Sequence, residues 1–193
     1  MKMNQNTQHI WFSSDTHFGH NRAFLYEPRG FSNIYEHDKT IINNWNSLVD
    51  NNDEVYLLGD IMLGDNEYGL KCLKQLKGKI HIIRGNHCTD ARMQLYSQCW
   101  NVVEITEGQY LKVNGQNFYL CHYPTMTSNL EKSANLKEHT INLFGHTHQK
   151  TNFYQGIPFM YHVGLDSHNC KPVSLEEVLS DIGKEAATCL SYL

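Results

Sequence analysis

The sequence predicts an α/β fold, and two observations lead to that prediction. In the first half of the chain, short apolar runs typical of buried strands alternate with stretches whose apolar residues recur at helical spacing. The second half is rich in strands, which favours a mixed sheet or a second sheet. A length of 193 residues fits a single domain over residues 1–193, and 40% hydrophobic with 19% charged residues is typical of a globular protein.

Apolar runs predict the main strands, which are, in chain order, His9–Ser13, Glu54–Leu58, Lys79–Ile83, Gln116–Cys121, Ile141–Phe144 and Phe159–Val163. Weaker strands are predicted at Val102–Ile105 and Tyr110–Val113. Helical spacing of apolar residues predicts one helix between Ile34 and Val49 and a shorter one at Leu70–Leu76. The residues Ser-Leu-Glu-Glu at 174–177 have the capping-box pattern that opens a final helix.

Composition narrows the classes of function. The six cysteines include no C-x-x-C pair, which disfavours a thiolate zinc site. The start of the chain, MKMNQNTQHIWF, has no long apolar run, so we predict neither a signal peptide nor a membrane anchor. We therefore expect a cytoplasmic protein with free thiols and no membrane partner. The net charge of -4 disfavours a duplex nucleic acid as partner.

Residue types that bind metals follow five of the predicted strands. They are Asp15 and His17, Asp60, Asn86, His122, and His146 with His148. Ligands of open α/β sheets bind beyond the carboxyl ends of the strands, so we expect these side chains to converge on one site. In the Asp-x-His and His-x-His patterns, residues two apart leave an extended segment on the same side and reach one metal or two adjacent metals. Glycines at positions 59, 85 and 145 allow the backbone to approach closely there.

Each of these motifs has an ordinary explanation when it stands alone. A Gly-Asp pair is common in turns, and a single Asp-x-His or His-x-His pattern often binds nothing. Taken together, in this order and all at strand ends, they favour a metal site. Imidazole and carboxylate ligands without thiolate suit Mn, Fe, Zn or Ni.

In this order, the motifs resemble those of the calcineurin-like metallophosphoesterase superfamily over residues 15–148, and segment 163–177 is similar to the end of its small bacterial and phage members. The resemblance implies a four-layer α/β/β/α sandwich with two mixed β-sheets. It also implies two divalent metal ions, the first held by Asp15, His17 and His148 and the second held by Asn86, His122 and His146. Asp60 would bridge the two ions, and His87 would be a catalytic histidine that binds no metal.

The activity implied by the resemblance is hydrolysis of a phosphate mono- or diester. A metal-bridging hydroxide would attack phosphorus in line, and His87 would act as general acid. The expected cofactors are two ions of Mn, Fe or Zn, and the expected partner is a small phosphate ester, with a nucleotide among the candidates. The preference between monoester and diester, the native metal pair and the oligomeric state stay open.

Candidate substrate contacts follow the first motif at His20, Asn21 and Arg22. Arginine grips phosphate bidentately, and the other two side chains can donate to a phosphate oxygen. A solvated loop arginine and a capping asparagine are the competing explanations. Specificity is expected to come from the loops at Phe18–Tyr35 and Pro124–Thr140.

The sequence departs from the family pattern directly after Gly-Asn-His. Members of the family often have an acidic residue there, whereas this chain has Cys88, which we interpret as a buried small hydrophobe. Asp90 is a candidate to replace the missing carboxylate beside His87. The segment Ile61–Gly64 lacks the arginine of the Ser/Thr protein phosphatases, which disfavours that class.

Two alternative functions remain. A non-catalytic binding module on the same fold is expected to have lost metal ligands or the catalytic histidine, and this chain has all of them. A nuclease or nucleotide phosphodiesterase subunit shares the metal site but usually adds a basic groove or further domains. The net charge of -4 and the length of 193 residues disfavour the nuclease, while a small nucleotide phosphodiesterase stays open.

Overall fold

A computed structural model of the chain describes residues 9–127 and 138–190, the last three of them by backbone alone. The predicted specificity loop at Pro124–Thr140 therefore lies mostly outside the described residues. The strands are, in chain order, β1 (Ile10–Ser13), β2 (Glu54–Leu57), β3 (Lys79–Ile83), β4 (Val102–Thr106), β5 (Gln109–Val113), β6 (Gln116–Leu120), β7 (Thr140–Phe144), β8 (Met160–His162) and β9 (Val173–Ser174). The α-helices are α1 (Ala23–Tyr26), α2 (Ile34–Leu48), α3 (Asn66–Leu73), α4 (Asp90–Tyr96) and α5 (Leu175–Leu190).

The strands form two mixed sheets, as predicted. The first has the order β4-β3-β2-β1-β9, in which β1 to β4 are parallel and β9 is antiparallel to β1. The second has the order β5-β6-β7-β8, in which β6, β7 and β8 are parallel and β5 is antiparallel to β6. Because parallel strands end at the same edge, the segments that follow β1, β2 and β3 leave the first sheet together, and those after β6 and β7 leave the second.

Two clusters of buried apolar residues hold the layers together. Successive side chains of a strand point to opposite faces of the sheet, so neighbouring residues belong to different clusters. In β2, Val55 and Leu57 pack into the cluster that also contains Trp45 of α2, whereas Tyr56 packs into the cluster between the sheets. Phe12 of β1 lies in that second cluster, with its ring centroid 6.4 Å from Phe118 of β6. The central strands are therefore covered on both faces, which explains their nearly continuous apolar runs.

All the predicted strands and helices are confirmed, and the capping-box serine accepts a hydrogen bond from the Glu177 N–H at 3.1 Å. The sequence did not predict α1, α4 or β9. These elements are short, and β9 exists through its pairing with β1, where Val173 lies opposite Phe12. None of the helices in the described ranges has the length and apolar character needed to cross a membrane.

Candidate metal centre and active site

The strand-end residues converge on one site, but not by the backbone geometry that we expected. The Asp-x-His and His-x-His segments are not extended. Five of the seven candidate ligands have left-handed backbone conformations with φ between 47° and 65°, and these are Asp15, His17, Asp60, His146 and His148. Such conformations are uncommon for residues other than glycine and are concentrated at functional sites. The convergence is confirmed, and its explanation by extended segments is wrong.

Two glycines make this convergence possible by lacking a side chain. A Cβ on Gly85 would collide with the carboxylate of Asp60, and a Cβ on Gly145 would collide with the side chains of Ser14 and Asp15. The loops after β2 and β3, and those after β1 and β7, can therefore approach closely only with glycine at these positions.

The first group of candidate ligands consists of Asp15, His17 and His148. The Nε2 atoms of the two histidines are 3.2 Å apart, and each lies 3.8 Å from Oδ1 of Asp15. Asp15 and His17 are buried. Burial lowers the pKa of His17 well below its ordinary value, so this ring is neutral, which is the form that binds metals.

The second group consists of Asn86, His122 and His146. Oδ1 of Asn86 lies 2.9 Å from Nε2 of His122 and 2.9 Å from Nδ1 of His146. The other nitrogen of His122, Nδ1, lies 2.7 Å from the carbonyl oxygen of Leu58 and can donate a hydrogen bond to it. This contact favours the tautomer whose Nε2 lone pair points at Asn86.

Asp60 lies between the two groups. Its Oδ2 is 4.0 Å from Nε2 of His17 and 3.5 Å from Nε2 of His122, and its Oδ1 accepts a hydrogen bond from the backbone N–H of His87 at 2.8 Å. Burial by itself raises the pKa of Asp60. The interaction with His122 and the hydrogen bond from the His87 N–H outweigh burial and bring that pKa down to about 2, so the carboxylate is charged at neutral pH.

The donor set fits divalent cations. Oδ1 of Asp15 is buried without a hydrogen-bond partner among the described residues, and burial raises the pKa of this carboxyl. In the second group, Nε2 of His122 lies 2.9 Å from Oδ1 of Asn86 and 3.5 Å from Oδ2 of Asp60. Several electron-pair donors thus face one another, and only a proton or a cation between them satisfies all of them. Two sets of three such residues, Asp15 with His17 and His148, and Asp15 with Asp60 and His122, have ligand atoms within 4.8 Å of one another.

A buried arginine, which the sequence analysis missed, supports the first group from behind. The Arg29 side chain is fully buried and binds Asp166 through two hydrogen bonds of 3.0 and 2.7 Å. It also donates to the carbonyl oxygen of Asp15 at 3.0 Å. Asp166 in turn lies 2.8 Å from Nδ1 of His148, so this carboxylate orients the ring and directs its Nε2 toward Asp15.

The buried network extends further to His37. A terminal nitrogen of Arg29 lies 2.9 Å from Nε2 of His37, whose Nδ1 lies 2.7 Å from Oδ1 of Asp38. The other oxygen of Asp38 accepts the backbone N–H of Gly19 at 2.9 Å. Residues 29, 37 and 38 are more than 120 positions from Asp166 in sequence and lie outside the recognised motifs. The only sequence signal was the position of Asp166 within the family-like tail.

A cavity of about 590 Å³ opens beside the first group. His87 lines it, with 42% of its side chain exposed. Of the three candidate substrate contacts, His20 lines the cavity, whereas Asn21 and Arg22 are exposed and are not part of its wall. Burial is the main cause of the lowered pKa of His20.

The surroundings of the Gly-Asn-His motif confirm one interpretation and correct another. Cys88 is buried in the first apolar cluster, as we interpreted it. Asp90 does not replace the missing carboxylate beside His87, because it binds Arg84 at 2.5 Å and its side chain is 91% exposed. The carboxylate nearest to the His87 ring is instead Asp60, whose Oδ2 is 4.0 Å from Nε2.

The sequence as a whole matches one protein family. Residues 9–164 match the profile of the calcineurin-like phosphoesterase superfamily domain. The chain belongs to this superfamily. It is similar to an uncharacterized protein of Methanocaldococcus jannaschii, with 33% identity over 186 residues that cover 91% of this chain and 92% of that protein. It is also similar to the gene 66 protein of Mycobacterium phage D29, with 30% identity over 195 residues that cover 90% and 96% of the two chains.

The fold is shared with a solved structure. A protein of unknown function from Aquifex aeolicus, AQ665, superimposes with a TM-score of 0.69 over 90% of this chain and 98% of that chain, at 22% identity. The predicted resemblance and the predicted fold class are therefore both confirmed.

Proposed function

We propose that this protein hydrolyses a small phosphate ester with the help of two divalent metal ions. The observation that carries the proposal is the arrangement of candidate ligand atoms in two adjacent groups on either side of Asp60, next to a cavity lined by His87. Membership of the calcineurin-like phosphoesterase superfamily supports the same class of reaction.

The residues of the first group would hold one ion and those of the second group the other, with Asp60 between them as a shared ligand. When bound, the two ions supply positive charge to the phosphoryl oxygens and lower the pKa of a bound water. Imidazole, carboxylate and amide ligands without thiolate suit Mn, Fe or Zn.

His87 is the residue we assign to proton transfer. Its ring faces the cavity and has no hydrogen-bond partner among the described residues, since Asp60 Oδ2 is 4.0 Å away. Nε2 is therefore available to hold a proton and to donate it to the leaving oxygen of the ester. The hydrogen bond from its backbone N–H to Asp60 fixes the position of this residue relative to both ligand groups.

The cavity fits a small substrate. Its volume of about 590 Å³ lies within the range of roughly 300–1,000 Å³ that is typical of small-molecule sites. His20 is the predicted substrate contact whose position supports that role, because it lines the cavity. Asn21 and Arg22 would reach only a substrate that extends beyond the cavity rim.

Hydrolysis of two chromogenic esters tests the proposal. Metal-stripped protein is assayed with bis(p-nitrophenyl) phosphate and with p-nitrophenyl phosphate, with and without added Mn²⁺. We expect turnover that depends on the metal, and the ratio of the two rates distinguishes a diesterase from a monoesterase. Protein that binds two metal ions and turns over neither ester contradicts general phosphoesterase activity and favours a binding role.

A further inference from the structure

The cavity beside the first ligand group is lined by two chemically different kinds of residue. Its lining includes four histidines, His17, His20, His87 and His148. The rest of the lining includes apolar residues, Phe24, Leu25, Pro28 and Leu63, which belong largely to α1 and the residues after it. A phosphate ester whose phosphorus lies at the ligand groups would place an organic substituent against these apolar residues.

Phe24 is the unusual member of that lining. It is 73% exposed, although its side chain has no polar atom that would favour contact with water. Other strongly exposed aromatic side chains here have such an atom, as in Trp100, whose indole N–H donates to the carbonyl oxygen of Lys74 at 3.1 Å. Ligand cavities are lined mainly by apolar and aromatic side chains, so an exposed ring that lines this cavity is suited to contact a ligand.

The aromatic rings form a row that leads from the ligand groups to solvent. The ring centroids of His17 and His20 are 5.9 Å apart, and those of His20 and Phe24 are 5.6 Å apart with an interplanar angle of 70°. These rings offer planar surfaces for a flat partner. Proteins that bind nucleobases without preference for one base usually stack them on aromatic side chains.

Charged groups border the cavity and argue against a long acyl chain. Lys150 lines the same cavity, where its Nζ donates to the carbonyl oxygen of Pro28 at 3.0 Å and lies 3.7 Å from Oδ1 of Asp166. Its side chain is 56% exposed, so the ammonium can also contact a ligand. A flat, polar-edged ring fits an apolar surface bordered by histidines and an ammonium better than an alkyl chain does.

We propose that the Phe24 ring stacks on the nucleobase of the substrate, with the His20 ring against the edge of that base, so that the substrate is a phosphate ester of a nucleoside. This inference rests on the proposed phosphoesterase function and names its substrate class. Phe24 would determine specificity and would leave the chemistry at phosphorus unchanged. A phosphate ester of a sugar without a base would make the same contacts at the ligand groups and lose those with Phe24.

Direct binding tests the inference separately from turnover. AMP and ribose 5-phosphate, which differ by the base, are titrated calorimetrically into the Mn²⁺-loaded protein. We expect AMP to bind about 5- to 150-fold more tightly, which corresponds to about 1–3 kcal/mol for one stacked base. Phe24→Ala should remove most of that preference without weakening ribose 5-phosphate, and Phe24→Tyr should keep it. Tyr110→Ala is the matched control, because Tyr110 is 72% exposed on β5 and is not part of the cavity wall.

Two results would overturn the inference. One is equal affinity of the unmodified protein for AMP and ribose 5-phosphate. The other is a Phe24→Ala variant that loses both ligands equally, since this would assign Phe24 to the structure of the loop. Neither result depends on hydrolysis, so a protein that turns over bis(p-nitrophenyl) phosphate without preferring AMP keeps the proposed function and loses this inference. A protein that prefers AMP but hydrolyses no ester loses the proposed function and keeps only the contact between Phe24 and the base, with AMP as a ligand and not a substrate.

Discussion

The two groups of candidate ligands are built differently. Two of the three residues in the first group are buried, and Asp166 and Arg29 support that group from behind. In the second group, Asn86 and His146 are exposed, and the support shown for His122 is the backbone carbonyl of Leu58. The first group therefore has the rigid environment of a buried ionic network, and the second lies at the surface of the same site.

The two groups also differ in the charge of their ligands. The assigned ligands of the first group include the carboxylate of Asp15, whereas those of the second group include no carboxylate apart from the shared Asp60. A divalent cation gains more from an anionic ligand set, and buried charges are screened less by water and salt. Two ions in one site need not be held equally, and we expect an ion in the first group to be bound more tightly than one in the second.

Substitution of Asp60 should have the largest effect, because this residue lies between the two groups and is proposed to be a ligand of both ions. We expect Asp60→Ala to lose metal from both and to reduce turnover by on the order of 10⁴-fold or more. Mass spectrometry of bound metal and the chromogenic assay measure the two effects. Asp60→Gly is the control for backbone strain, since φ at this position is 51° and glycine adopts that value freely. A variant that keeps two ions would show that Asp60 is no shared ligand.

His87→Ala should separate chemistry from metal binding. We expect it to keep both ions and to lose about 10²- to 10⁴-fold in turnover, the usual contribution of a general acid. The loss should be greater for an ester with a poor leaving group, such as a phenyl ester, than for a p-nitrophenyl ester, which needs less protonation. Metal loss equal to that of Asp60→Ala would contradict the roles that we assign.

Matched substitutions in the two groups test their unequal affinity. His146 and His148 both have positive φ, a conformation that asparagine tolerates, so His146→Asn and His148→Asn strain the backbone equally little. We expect a chelator titration to remove one ion before the other from the unmodified protein. The tightly held ion should persist in His146→Asn and be weakened in His148→Asn. Identical titrations of the two variants would make the two groups equivalent.

Asp166→Asn should weaken the first group without removing a ligand. The substitution keeps the size of the side chain but removes the charge that orients His148 and pairs with Arg29. We expect metal affinity in the first group to fall by about 10- to 100-fold, which is typical of substitutions behind a metal ligand. Competition with a coloured chelator measures it. An unchanged affinity together with a lower melting temperature would assign Asp166 to stability alone.

Asp53→Asn is the control for loss of a buried carboxylate and has the smallest expected effect. Burial by itself raises the pKa of Asp53, but hydrogen bonds from the N–H groups of Asp50, His9 and Trp11 bring it below its ordinary value. The charged form thus stabilises the folded state above a pH of about 4, and this contribution is lost as the pH falls further. We expect a loss of about 1–2 kcal/mol at pH 7 that narrows in acid, with metal binding unchanged. Urea unfolding at several pH values measures it.

The sequence predicted the candidate ligands better than the structure that supports them. Asp15, Asp60 and His122 follow predicted strands, and a general rule for α/β sheets places such residues at one edge. Arg29 could not be assigned in the same way, because it contacts Asp166 across 137 positions and lies in an ordinary Glu-Pro-Arg-Gly turn. Contacts of this kind depend on the assembled fold and leave no periodic pattern in the chain.

The strands and helices also divide into those that the sequence predicted and those that it did not. Strands with continuous apolar runs were predicted because both of their faces are buried. Two elements that were not predicted, α4 and β9, are seven and two residues long. Too few residues repeat in them for a period to be recognised, and neighbouring strands or helices stabilise them. Phe24 was not identified either, because exposure beside a cavity is a property of the folded chain.

The left-handed backbone at Asp15, His17, Asp60, His146 and His148 restricts how this site can change. A replacement at these positions must supply a suitable donor atom and must also accept positive φ. Aspartate, asparagine and histidine meet both conditions, whereas threonine and other β-branched residues fail the second. Exchanges among those three residues are therefore the accessible route to a different metal preference. Recruiting a β-branched ligand such as threonine there would first require a change of the loop itself, by insertion or deletion.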